Sequence, residues 1–225
     1  MFSTAFKLCR KSNNQTVGLI RRYSSLSNVS IFNNENAERG DYLKNVVEQD
    51  FTLIENFITE KEEDDLMKEI EKAFRRTRYQ YDHWDGAIHG FRETEKSNWN
   101  TENMKIFENI KNIAFDMDND IIPTTHVLDL AEDGLIKPHV DSIKFCGNKI
   151  AGLNLLSDAI MRYGIEKEPE SYIDVYLPRF SLYIMRDALR FDFTHEVLAN
   201  KDSYFQGKHI QKNRRVSILH RNEPS

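Results

Sequence analysis

Three side chains of this 225-residue chain have the types and spacing of a metal site. His139 and Asp141 form a His-x-Asp pair, and on a strand residues i and i+2 project from one face. His195, brought from a second strand, completes two imidazoles and one carboxylate on one side of an ion. Such a facial triad leaves coordination positions open and suits non-haem Fe(II) oxygen chemistry. The pair alone is not specific, because His83-Trp84-Asp85 repeats it in an irregular stretch. That second pair reads as surface or substrate-face residues.

The terminal run RVSILHR supplies a complement to the triad. Arg215, Ser217 and Arg221 are separated by even numbers and share one strand face, with Val216 and Ile218 on the other. Two guanidiniums and a hydroxyl on one wall can grip a dicarboxylate through charge-assisted, bidentate hydrogen bonds. Taken by itself, the same strand reads equally well as an exposed edge that presents its arginines to water.

The elements that must position these residues are mostly β. After Pro123 the strand-like pieces cover 126–130, 134–142, 150–156, 172–177, 181–186, 191–197 and 215–220. Gly134, Gly147, Gly164, Pro178 and Gly207 supply turns between them. Short strands at this density predict a small β-sandwich or barrel, with two helices against it. A strand-like run over 51–58 leads to Thr59, whose spacing to Glu62 is a capping box. The helix it opens puts Leu66, Ile70, Ala73 and Phe74 on one stripe and Glu63, Asp64, Lys68 and Lys72 outside. The second helix covers about 102–116, with Met104, Phe107, Ile110, Ile113 and Ala114 inward. Between the helices, residues 78–99 are aromatic, charged and without a regular period; connections of that length often lie beside a site.

Composition narrows the class. Apolar residues make up 40% and charged residues 30%, enough for a packed core and against compositional disorder. No window approaches the ~18 apolar residues of a membrane span. Cys9 and Cys146 give neither a disulfide framework nor a CxxC-type zinc site, as expected of a reducing compartment. Five of the 31 basic residues and none of the 36 acidic ones lie in residues 1–30, so the rest holds 26 against 36, a balance of -10. The acid-free, Ser-rich start reads as a mitochondrial transit peptide over 1–23, with Arg21-Arg22-Tyr23-Ser24-Ser25 as its processing region; a plain basic tail is the alternative. An Asn/Glu-rich linker over 24–49 and one domain over 50–225 follow. A body at that charge is a poor general binder of polyanions, whose affinity comes from clustered Lys and Arg.

The joint pattern is far more specific than either motif. GLIKPHVDSIKFCGNKIAGLNLLS at 134–157, then SLYIMRDALRFDFTHEVL and RRVSILHR, with the aromatic stretch YQYDHWDGAIHGFRETEKSNW, resembles the AlkB-homologue dioxygenases in their mitochondrial branch. The resemblance spans about residues 50–222. It implies a mostly β fold, a double-stranded β-helix (jelly-roll) buttressed by N-terminal helices. It also implies Fe(II), 2-oxoglutarate as co-substrate, and O2. His139, Asp141 and His195 would be the metal ligands. Arg215 would pair the far carboxylate of 2-oxoglutarate, Arg221 would lie near its metal-chelating end, Tyr183 would face it, and Val216 and Ser217 would line it through backbone and hydroxyl.

By the same resemblance the reaction is oxidation of a substrate C–H bond with release of succinate, the cofactor carrying the difficult step. The branch implies a mitochondrial matrix enzyme acting on a protein side chain, linked to programmed necrosis and fatty-acid metabolism. Two further readings stand beside it: a demethylase of mitochondrial tRNA or related nucleic acid, and a non-enzymatic regulator that retains the cofactor site. Leu128 and Leu130 stand where nucleic-acid demethylases of the family carry Asn-x-Tyr, and Ile143 stands where they carry an acid. The stretch 78–99 is also short for their substrate lid, and no stacking or base-edge contacts for a flipped base can be located. Classical alkylated-DNA repair is therefore not the expected reaction. His126, His209 and His220 have no partner spacing and read as surface or core. Cys146 reads as a small buried filler, and Arg75, Arg76 and Arg78 as cations favoured at a helix C-terminus.

Overall fold

A computed structural model describes residues 26–33, 36–81, 86–115 and 121–224. The leader over 1–23 and the His83/Asp85 pair lie outside the described residues. In chain order the elements begin with β1 (Val29–Phe32), α1 (Ala37–Asp50), β2 (Phe51–Ile54), α2 (Glu60–Ala73), β3 (Ile88–Lys96) and α3 (Thr101–Ala114). They continue with β4 (Thr125–His139), β5 (Lys149–Leu155), β6 (Ala159–Ile165), β7 (Glu168–Leu177), β8 (Leu182–Arg186), α4 (Asp187–Phe191) and β9 (Thr194–Val197). A short hairpin, β10 (Tyr204–Phe205) with β11 (Lys208–His209), precedes the final strand β12 (Arg215–Arg221). No described helix is long and apolar enough to cross a membrane.

The large sheet is antiparallel throughout, in the order β1-β7-β6-β9-β4-β12-β5-β8-β2, with β3 added to β4. The fold is thus mostly β, a curled sheet with helices packed on it. Strand β4 ties the curl together. Its first half pairs with β12 (Leu130↔Arg215, His126↔Leu219), and its second half pairs with β9 (His139↔His195). One apolar cluster fills the inside of the curl, including Leu128, Met161, Tyr163, Tyr183, Met185 and Val197. A second lies between the sheet and α2 and α3, including Leu66, Ile70, Phe107, Ile110, Val216 and Ile218. Two sides of one sheet are therefore buried, which is why a strand such as β5 is buried from Ile150 to Leu155 on both faces.

The capping box at Thr59 forms in both directions, and Leu66, Ile70 and Phe74 are buried as the stripe predicts. Two of its positions differ. Ala73 is exposed, because the helix gives way to a turn at Phe74. Glu63 is 1% exposed instead of facing water. Its carboxylate accepts the Leu156 amide at 2.7 Å and both ends of the Arg179 guanidinium, so a buried charge is paired and clamps α2 to the sheet. Helix α3 starts one residue early, at Thr101 after the N-cap Asn100, and Asp116 lies outside the described residues.

The largest correction concerns the segment 24–49. Its described residues are not a linker: β1 pairs with β7 (Val29↔Val175), and α1 buries Leu43, Val46 and Val47. Three buried apolar residues in fourteen give too weak a stripe to read, and the N-cap Asn36 accepting from the Arg39 amide marks the start instead. The irregular stretch 78–99 likewise contains β3, an edge strand whose alternation is of charges, Arg92 against Glu93, more than of apolar residues. Strand β6 carries no expectation from sequence. Residues 126–142 hold one long strand, not two, because Gly134 is no turn: it lies against Gly90 of β3, and a Cβ there would meet the Gly90 carbonyl oxygen at 2.6 Å. The piece expected over 191–197 divides into the end of α4 and β9, since Asp187 to Phe191 turn as a short helix.

Candidate metal and co-substrate site

Strand pairing brings the triad together. His139 ends β4 directly opposite His195 of β9, and the two rings lie 4.3 Å apart between centroids. Asp141 is two residues further on, past the strand end, and its Oδ1 lies 3.5 Å from His139 Nε2. Ligand atoms of all three fall within 4.8 Å of one another. The carbonyl of Lys137 takes a hydrogen bond from His139 Nδ1 at 2.9 Å. A carbonyl only accepts, so the proton sits on Nδ1 and Nε2 presents its lone pair to the site, the arrangement of a metal-ligating imidazole.

Electrostatics puts Asp141 and His195 in their ligand forms. Burial works against the charge of Asp141, but the neighbouring His139, His195 and Arg221 hold its carboxyl well below the usual range. Burial lowers His195 to about 4, against the pull of Asp141. At neutral pH Asp141 is a carboxylate and His195 a neutral imidazole, and His139 turns its Nε2 toward them. That charge and those donors suit a divalent transition ion.

A cavity of 330 Å³ opens beside the triad. Strand β12 forms one wall, and its alternation is as the even spacing requires: Arg215, Ser217, Leu219 and Arg221 line the cavity. Val216 and Ile218 enter the second core, so any part for Val216 in the site falls to its backbone. His220 is buried against the Phe107 ring, 5.0 Å between centroids, a core histidine as expected.

Arg215 is 2% exposed and stands at the buried end. Its Nε donates to Asn154 Oδ1 at 2.6 Å, the Tyr183 hydroxyl lies against it, and its Nη2 has no partner among the described residues. Asn154 is itself fixed, donating through Nδ2 to the carbonyls of Ser157, Leu177 and Pro178. A buried guanidinium N–H without an acceptor is costly, and a ligand carboxylate is the group that would satisfy it. Arg221 lies at the other end, Nη2 3.7 Å from Asp141 Oδ2, and its Nε is also buried with no partner among the described residues. The spacing of metal ligands, hydroxyl and two under-satisfied guanidiniums along one cavity fits a dicarboxylate whose one end reaches the ion.

Sequence reasoning missed several lining residues. His126 has a place after all: it lines the cavity between Glu93 of β3 and Arg221. Even spacing from Leu128 and Leu130, the positions compared with Asn-x-Tyr, was the signal that put it on this face. Asn154 carried no signal, because its role depends on the β5–β12 register. Cys146 is 2% exposed as a filler should be, its carbonyl accepting from Arg190 at 3.1 Å. Val140 of the first cavity is an exposed apolar residue, as is Phe145 of a second hollow of 280 Å³ that shares His126, Leu219 and Arg221 with the first, and Ile143 between them in sequence is exposed too.

The curled sheet with its triad is the fold of 2-oxoglutarate oxygenases. Similar solved structures include OsALKBH1 (TM-score 0.54, 13% identity, 76% of this chain and 97% of that one) and a Pseudomonas putida prolyl-4-hydroxylase (TM-score 0.51, 13% identity, 81% and 99%). No family model matches the chain. The relatives are more particular: the mitochondrial α-ketoglutarate-dependent dioxygenase alkB homolog 7 of Mus musculus and that of Bos taurus are each 47% identical over 168 residues, 75% of this chain and 76% of theirs. The chain belongs to the alkB homolog 7 family of α-ketoglutarate-dependent dioxygenases, oxidoreductases that work with Fe(II), 2-oxoglutarate and O2.

Proposed function

We propose that His139, Asp141 and His195 hold Fe(II). In this reading Arg215, with Tyr183 beside it, holds the far carboxylate of 2-oxoglutarate. Ser217 and the Val216 backbone line the co-substrate, and Arg221 lies at its metal-proximal end. The observation that carries this reading is the buried Arg215 Nη2 without an acceptor, in the same cavity as three convergent ligand atoms. Bound together, Fe(II) and 2-oxoglutarate supply an O2-derived oxidant for a C–H bond, with succinate and CO2 as by-products. The chain's own part is to hold the proton on His139 Nδ1, to keep the carboxylate of Asp141 ionised, and to exclude water with Leu128, Met161, Met185 and Val197.

The substrate we propose is a protein side chain, hydroxylated in the mitochondrial matrix, with a role in programmed necrosis and fatty-acid metabolism. Support comes from Val140 (40% exposed), Ile143 (64%) and Phe145 (73%), exposed apolar residues of the kind that marks macromolecular contact. Glu93 and Glu95 face the two hollows, and carboxylates repel a phosphate backbone.

Incubation with Fe(II) and 2-oxoglutarate is expected to release succinate slowly, and a mitochondrial protein extract to accelerate that release with a one-oxygen mass gain on a protein. His139→Ala is expected to lose both, and to lose the rise in melting temperature that Mn(II) with N-oxalylglycine gives the unaltered chain. Full succinate release by His139→Ala would overturn the metal assignment. Acceleration by mitochondrial RNA and not by protein would overturn the substrate class.

A further inference from the structure

The geometry points to a role for two residues that neither the triad nor the arginine strand requires. On β4, His126 stands beside β3, where Glu95 is its register partner and Glu93 the diagonal neighbour on the same face. Its Nε2 lies 2.9 Å from Glu93 Oε2, and its Nδ1 3.2 Å from Arg221 Nη2. Guanidinium nitrogens only donate. His126 Nδ1 is therefore the acceptor, and the ring proton sits on Nε2 and is donated to the Glu93 carboxylate. A doubly protonated ring would set N–H against N–H. The run carboxylate, imidazole, guanidinium, carboxylate, from Glu93 through His126 and Arg221 to Asp141, thus has one consistent set of donors and acceptors.

We propose that His126 and Glu93 are positioning residues: the imidazole, oriented by the Glu93 carboxylate, holds the Arg221 guanidinium at the metal-proximal end of the co-substrate. The proposal rests on the reading of Arg221 as a co-substrate residue. Three features make it specific. Arg221 has an Nε that is buried and without a partner among the described residues, so a small rotation of the guanidinium decides whether that donor meets a ligand. The Nη2 that would set the rotation is the atom that His126 and Asp141 share. Glu93 lines the cavity from β3, which pairs with β4 in the sheet, and His126 links it to Arg221.

The test uses the full chain with Mn(II), titrating N-oxalylglycine by calorimetry, alongside succinate kinetics with Fe(II). His126→Phe keeps the ring shape and removes both bonds. It is expected to weaken N-oxalylglycine binding and raise the KM for 2-oxoglutarate by about tenfold, the effect of one hydrogen bond to a charged group, with kcat changed less. His126→Asn retains an acceptor near the Nδ1 position and is expected to recover most of the affinity. Glu93→Ala, at the cavity rim, is expected to shift affinity in the same direction by about threefold and to abolish the slowly exchanging Nε2–H proton resonance of His126. Wild-type affinity in both His126→Phe and Glu93→Ala overturns the positioning role while Arg221→Met still binds weakly. Should His126→Phe fail to fold, unchanged affinity and resonance in Glu93→Ala overturn it alone. Wild-type affinity in Arg221→Met overturns the underlying assignment of Arg221, and the positioning role with it.

Discussion

Gly152 offers the sharpest perturbation of the co-substrate site, although it carries no side chain. It sits on β5 opposite Tyr183 of β8, and the tyrosine ring lies across the glycine. A Cβ built at 152 would stand 2.5 Å from the Tyr183 hydroxyl and closer still to ring carbons Cζ and Cε1. The ring is 4% exposed and packed among the residues inside the curl, so it cannot swing to solvent. Gly152→Ala must displace it from its place beside Arg215. Overpacking of this kind costs about 1–3 kcal/mol of stability. A hydrogen bond to a charged group is worth about 1.5–3 kcal/mol, so moving the Tyr183 hydroxyl from beside Arg215 is expected to cost a factor of ten or more in affinity for a ligand carboxylate. Thermal unfolding of the ligand-free chain reads the first effect. Calorimetric titration of N-oxalylglycine with Mn(II) reads the second. In a Tyr183→Ala background the alanine finds space, and the stability cost of Gly152→Ala should fall to near zero, a coupling expected of residues in contact. An unchanged melting temperature and affinity in Gly152→Ala, or an equal cost in both backgrounds, would refute the reasoning.

Arg179→Met leaves the Glu63 carboxylate buried beside α2 with only the Leu156 amide as donor. Because Arg179 is itself a third exposed, the loss is expected near the low end for a broken buried pair, about 3 kcal/mol, read by urea unfolding. Lys212 is fully buried, donating to the carbonyls of Ala131 and Glu132 at 3.1 and 2.7 Å, and burial with the Arg215 charge lowers it to about 8. Its unfolded value is 10.5, so between pH 8 and 10.5 the unfolded chain binds the extra proton and stability gains from this group as pH rises. The gain approaches about 3 kcal/mol at the top of that window and is absent below it. Denaturant midpoints across that range should lose this rising component in Lys212→Met; an identical pH profile in the two proteins would contradict it.

Much of the site was legible because alternation along β12 does two jobs at once. The spacing of Arg215, Ser217 and Arg221 needed only a strand to become a cavity wall, and the strand was evident from Val216 and Ile218. The triad was legible for a weaker reason. Asp141 lies beyond the end of β4, so its approach to His139 comes from the turn of the chain after the strand, not from strand alternation. What stayed hidden were contacts made by register. His126 and Asn154 have meaning only once β3 is laid on β4 and β5 on β12, and no local pattern announces a pairing across so many residues. Helix α1 and strand β3 were hidden by composition, since one has three buried apolar residues and the other alternates charges. Glu63 looked like solvent because its partner, Arg179, lies 116 residues away.

Register is also what holds an expensive site in place. A one-residue slip of β9 against β4 would turn His195 to the opposite face, and a slip of β12 would send both guanidiniums into the apolar layer under α3. Neither slip is open to the chain. Strand β12 is paired on both sides, to Leu130 and His126 of β4 and to Leu155 and Ile150 of β5, and its alternate residues Val216, Ile218 and His220 are locked against the helices. The apolar face thereby fixes the polar one. A strand held this firmly can keep two buried guanidinium donors without acceptors, a cost that stays in the fold until a carboxylate arrives to remove it. On this view the binding energy of the co-substrate comes partly from relieving that penalty, and the second core, which touches no ligand, determines how much of it is retained.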